Sequence, residues 1–143
     1  GQEKRHELEG IYEDLRGMAG EYEIPVWTAS QANRSALEED VIDASKVSES
    51  YGKVMVADFV LSLSRKVQDK LAGTGRWHVI KNRFGPDGIT LPSKMNTSNG
   101  QFHIYAETSV GGKETQKQMD GGNELTRKLL ARKYQEISNE GFE

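Results

Sequence analysis

Apolar side chains at Leu8, Ile11, Tyr12, Leu15, Met18, Ala19 and Tyr22 recur at the i, i+3, i+4, i+7 spacing that marks one face of an amphipathic helix. Pro25 holds the residue before it in extended backbone, so this helix is predicted to end by Ile24. The run "IPVWTASQ" is then apolar without alternation, the pattern of a strand covered on both faces of a parallel sheet. From 32 to 57 the chain is polar and weakly periodic, with a short helix expected over 48–56, and so long a loop in a compact domain is usually functional. "DFVLSLS" predicts a second strand, "QDKLAGTG" a turn and "RWHVIKNR" a third strand. "GITLPS" and "GQFHIYAE" predict a fourth and a fifth, and their short connections favour antiparallel pairing.

Beyond Glu107 the pattern changes. "TSVGGKETQKQMDGG" has flexible-linker chemistry, and a helical stripe returns at Leu125, Leu129, Leu130, Tyr134 and Ile137. The expected organisation is therefore an α/β core with a mixed sheet over 1–107, a flexible linker over 108–122 and an amphipathic helix or tail over 123–143. At 143 residues the chain suits one domain. Its start at Gly1, with no initiator Met and an immediate charged run, is expected of a trimmed or excised piece.

Charge narrows the function classes. Nineteen basic against 22 acidic residues give a net charge of −3, which disfavours a protein that coats nucleic acid by bulk electrostatics, so any contact with DNA has to be local. The chain has no Cys, and His6, His78 and His103 lack zinc-ligand spacing, so no metal site is expected. No apolar run approaches the roughly 18 residues of a membrane span and no signal-peptide pattern is present. A cytoplasmic protein without membrane contact is the expectation.

The chain contains no G-x-x-x-x-G-K-[ST] phosphate loop; "GGKET" imitates its end, but Lys113 is followed by Glu114 and position 107 is Glu. Two other places hold candidate chemistry. "TASQANRS" closes the first predicted strand with Gln31, Asn33 and Arg34, where ligands sit in open α/β sheets; Gln31 there either senses a phosphate or orients water, or simply caps a strand. In "WHVIKNRFGPDGITL" Lys81 and Arg83 share one face of a strand, their stems roughly 6 to 7 Å apart at ~3.3 Å rise per residue. They are either a solvated edge face or a cation pair set at a rim for a ligand.

Four segments in order, "SQANR", "SESYGKVMVADFVLSLSR", "IKNRFGPDG" and "NGQFHIY", resemble the DnaB-type replicative helicases of bacteria and phages, and phage versions most closely. The similarity runs over about 4–105. That family has a RecA-like core, forms hexameric rings with ATP between subunits, and couples hydrolysis to 5′ to 3′ translocation on single-stranded DNA. The resemblance implies a partial RecA-like core lacking the P-loop strand and helix. It implies that Gln31 senses the γ-phosphate, and that Lys81 and Arg83 form a K-x-R finger reaching a neighbour's ATP, a contact that can contribute 10³ to 10⁵ in rate. It also implies that 33–53 is the DNA loop, with Glu49 as its carboxylate. The family's neighbouring Arg and Gly fall on Ser48 and Tyr51 here, which leaves Arg34, Lys46 and Lys53 as the DNA-contacting cations.

By the same resemblance the partners are single-stranded DNA, neighbouring subunits of a homohexamer, and a primase or helicase loader. ATP and Mg²⁺ belong to the full-length parent, and none is expected on this chain alone, which lacks the family's Walker residues and is expected to be inactive by itself. Two rivals stand beside this reading: a RecA- or KaiC-like ATPase of recombination or regulation, and a non-catalytic interaction module working through the C-terminal helix.

Overall fold

The computed structural model describes residues 2–32, 40–43 and 51–140. Helix α1 spans Gln2–Tyr22 and α2 spans Tyr51–Val56, followed by strand β1 over Phe59–Ser64. Helix α3, Val67–Ala72, leads to β2 over Thr74–Asn82, then β3 over Thr90–Asn96, β4 over Gln101–Ile104, and the long helix α4 over Val110–Glu140. The strands are hydrogen-bonded in the order β1-β2-β3-β4 and antiparallel, a mixed α/β architecture compatible with a partial RecA-like core.

The chain divides into two compact units, one of Gly1–Ser64 with Trp77–Thr90 and one of Arg65–Arg76 with Leu91–Glu143. In the first, the apolar stripe of α1 forms a helix as its spacing predicts, and the helix stops at Glu23, whose φ of 53° is left-handed. The Ile24 N–H donates back to the Ala19 carbonyl at 3.1 Å, closing the helix in a Schellman turn without the usual glycine. The strand expected over 24–31 does not form: only Ala32 bridges another strand, and Trp27 is 78 % exposed. A strand is held by the partners that take up its backbone groups, and this run is not assigned to a strand of the sheet. The sheet is accordingly antiparallel where a parallel component was expected.

The second unit is organised by a buried carboxylate. Asp69, with no solvent exposure, accepts hydrogen bonds from the Lys66 backbone N–H at 2.8 Å, the Arg76 guanidinium at 2.7 Å and the Thr74 hydroxyl at 3.2 Å. The first of these caps the N-terminus of α3. Gly73, in the left-handed region at φ 67°, ends that helix with its N–H on the Asp69 carbonyl. "QDKLAG" is therefore a capped helix where a turn was expected. Strands β3 and β4 pair through Ser93↔Ile104, Lys94↔His103, Met95↔Phe102 and Asn96↔Gln101.

Residues 110–122 are helical, unlike the flexible linker their glycines suggested. Ser109 caps α4, its hydroxyl accepting from the Gly112 N–H at 3.0 Å and donating to the Ala106 carbonyl at 2.6 Å. A Cβ at Gly112 would collide with the Ala106 carbonyl oxygen, and one at Gly111 with the Tyr105 ring. These glycines serve close approach, not flexibility. Further along, Thr115 and Met119 are buried, and a Cβ at Gly122 would come within 3.8 Å of Ala72 and Gln68 of α3.

Two stability experiments follow from this unit. Asp69→Ala removes the carboxylate that faces the buried Arg76 guanidinium, and urea unfolding should register a loss of about 3–5 kcal/mol. Gly112→Ala should cost about 1–3 kcal/mol from overpacking, whereas Gly121→Ala, in the same helix with open space around it, should gain up to about 1 kcal/mol in helix propensity. Equal effects at the two glycines would mean that α4 does not start against Ala106.

Candidate functional site: a cation cluster on Asp58

Lys81 lies near the end of β2, and Arg83 is the first residue of the turn that follows the strand. The stretch they occupy is not a sheet edge. On one side Val79 exchanges backbone hydrogen bonds with Gly88 and Ile89, at 2.8 and 2.9 Å; on the other the Arg83 N–H donates to the Asp58 carbonyl at 2.9 Å. Strand order puts β2 between β1 and β3, so the strand that leads into the two cations is not an edge strand.

Each cation has a local partner. The Lys81 ammonium donates to the carbonyls of Val54 and Met55, both at 3.0 Å, at the end of α2, where helix carbonyls lack intrahelical donors. The Arg83 guanidinium forms an ion pair with the Asp58 carboxylate through Oδ1. A third cation arrives from α1: Arg16 donates through Nη1 to the Val56 carbonyl at 2.6 Å and to the same Asp58 oxygen at 3.0 Å. Asp58 itself sits in the bend between α2 and β1.

Three cations against one carboxylate leave a local surplus of two positive charges. The cluster is not buried, for the side chains of Arg16, Asp58 and Arg83 are 46 %, 44 % and 44 % exposed. The hydrogen bond from Arg16 is the main cause holding the Asp58 carboxyl below its ordinary value; partial burial works against it, and the charges of Arg16, Arg83 and Lys81 add to it. Chemically, such a group of donors suits an anion with several oxygens, because guanidinium and ammonium groups donate and cannot accept.

Residues 26–30 and Ala32, without Gln31, help to line an apolar cleft of about 470 Å³, together with Tyr12, Phe59, Trp77 and Ile80. Gln31 lies exposed in this segment and is not brought into hydrogen-bonding contact with Lys81 or Arg83. Arg34, Lys46 and Glu49 lie outside the described residues, and Lys53 falls in α2, its side chain not described. Among the described residues no group of His, Asp and Glu is arranged to hold a metal, and no helix is long and apolar enough to cross a membrane.

Sequence reasoning picked out Lys81 and Arg83 but missed Arg16 and Asp58. Arg16 carries one available signal, its place four residues after Tyr12 on the margin of the apolar stripe of α1. Asp58 carries another, a lone acid directly before the apolar run of β1.

No protein-family model matches the chain. Over 78 residues it is 32 % identical to a DnaB-like replicative helicase of Enterobacteria phage T4, a match that takes in 54 % of this chain and 16 % of that protein. The chain thus spans about a sixth of the relative's length. The similarity supports a helicase-related relationship.

The Asp58 carboxyl should titrate below the ordinary aspartate range when followed by its ¹³C resonance, and should return toward that range in Arg16→Ala. Because the folded-state pKa is depressed, the interaction stabilises the fold above the unfolded value and is lost as pH falls through the folded one. Asp58→Asn should accordingly flatten the acid limb of a stability-versus-pH curve. An unchanged limb would show that the cluster does not form in solution.

Proposed function

We propose that the chain is part of the ATPase core of a phage-type replicative DNA helicase, contributing cations that act on a nucleotide held by a neighbouring subunit. One observation carries the reading: an exposed, surplus-positive cluster on Asp58 that takes in Lys81 near the end of β2 and Arg83 in the turn after it. The similarity to a DnaB-like replicative helicase supports it. A structural ion pair needs one cation for one carboxylate, and here there are three.

In this reading Arg83 neutralises charge spread over the equatorial oxygens of the transferring phosphoryl group, where a guanidinium fork fits. Lys81 adds a second point charge two residues away. Gln31 senses the γ-phosphate and passes its state to the DNA loop over 33–53, in which Arg34, Lys46, Glu49 and Lys53 meet the strand. ATP and Mg²⁺ are the cofactors of the full-length protein, held by its Walker residues; single-stranded DNA, neighbouring subunits of a hexamer, and a primase or loader are its partners. This chain contains no phosphate loop, so by itself it should not turn over ATP.

A second reading has its own observation. Leu125, Leu129 and Leu130 of α4 are all more than half exposed, an apolar row that suits a non-catalytic docking helix.

The decisive variant is Arg83→Ala in the full-length protein. ATP hydrolysis and unwinding of a forked duplex should fall about 10²-fold or more, the scale of a lost finger, while far-ultraviolet circular dichroism stays unchanged. Hydrolysis that survives the substitution overturns the finger assignment, and loss of a protein partner on substituting the α4 leucines, with hydrolysis intact, favours the docking reading.

A further inference from the structure

The finger reading leaves Asp58 unexplained. A carboxylate placed among cations meant for a phosphate competes with that phosphate, so its presence has to be either structural or regulatory. The geometry separates these. A carboxylate built for stability meets a guanidinium through both oxygens and is shielded from water. Asp58 instead presents one oxygen, Oδ1, to both Arg16 and Arg83, and its side chain is 44 % exposed. Neither guanidinium is engaged as a fork, and water competes for all three groups. Such pairs are weakly held and exchange readily.

Each of the three residues also has a main-chain anchor that does not involve the carboxylate. Arg16 keeps the Val56 carbonyl at 2.6 Å, Arg83 keeps its backbone hydrogen bond to the Asp58 carbonyl at 2.9 Å, and Lys81 keeps Val54 and Met55. Removing the carboxylate contact therefore frees charge without freeing the elements that carry it. From this we infer that Asp58 is an internal surrogate for phosphate: it latches Arg83 and Arg16 while no nucleotide is present, and the polyphosphate of a nucleotide on another subunit displaces it. Arg16 thereby becomes a third cation of the phosphate-directed group. The inference rests on the reading of Lys81 and Arg83 as phosphate-directed cations, and it adds a positioning residue, a further cation and a regulatory step to it.

The latch has a functional logic. An Arg83 left loose would sample many rotamers and collect solvent anions, and a guanidinium held by a single carboxylate oxygen is kept extended at low cost. A polyphosphate, with several charges and many oxygens, outcompetes one monodentate carboxylate; a single chloride or acetate does not. Asp58 thus sets a threshold of anion charge below which the finger stays home.

The test uses this chain and inorganic tripolyphosphate as the probe, followed by isothermal titration calorimetry at low ionic strength. Asp58→Asn should bind the probe about tenfold more tightly than the wild-type chain, on the order expected for removing one close negative charge from a screened surface site. Adding Arg16→Ala to Asp58→Asn should reverse most of the gain. In the wild-type chain, which avoids any doubt over the folding of a variant, saturating tripolyphosphate should move the Asp58 carboxyl ¹³C resonance toward that of a solvated aspartate. Equal affinities of the two chains, absence of binding by both, or saturation with no movement at Asp58 each overturn the latch. The finger reading falls by a different result, hydrolysis that survives Arg83→Ala in the full-length protein, so the two failures are distinguishable.

Discussion

Two guanidinium groups meeting one carboxylate oxygen mark the point at which the segments of the first unit converge, on Asp58. Through Arg16 that oxygen ties α1 to the end of α2; through Arg83 it ties the end of β2 to the foot of β1. Lys81 completes the group by satisfying the last carbonyls of α2, which are otherwise without donors. Four segments separated along the chain are brought to one point because each has a polar group with nowhere better to go.

Asp69 in the second unit is the instructive contrast. It too is a carboxylate with a guanidinium partner, yet it is fully buried, bonded at both oxygens, and inseparable from the cap of α3 and from Thr74. In low dielectric such an arrangement is rigid, since breaking it strands a charge. At the surface the same chemistry is soft, since water can replace either partner. One protein thus uses the same ion pair twice, as a fixture where water is excluded and as an exchangeable contact where it is not.

What could be read from the sequence follows the range of the forces involved. The stripe of α1 and the apolar runs of β1 to β4 are local patterns, and a helix or strand forms at each, with ends shifted by a few residues. Helix α3 was missed because its existence depends on Asp69 as a cap and Gly73 as a stop, two single residues in a short polar stretch. The run 24–31 had the composition of a strand, but composition does not supply a neighbour. At 110–122 the glycines looked like freedom, yet Gly111 and Gly112 mark close approach to Tyr105 and Ala106. For the site, alternation alone placed Lys81 and Arg83 together, whereas Arg16 and Asp58 lie 42 residues apart and meet only in the fold.

Trp27 bears on how the first unit can be watched. Its indole is largely in water, yet it meets the ring of Phe59 edge-on, at 6.1 Å between centroids and 65° between planes. Phe59 directly follows Asp58 in the chain. Trp77, the other tryptophan, is half-buried in β2, so the two fluorophores differ in their access to a dissolved quencher. The molecule therefore carries its own optical probe against the residue that follows the carboxylate, and selective quenching of Trp27 emission reports on that surface without any added label.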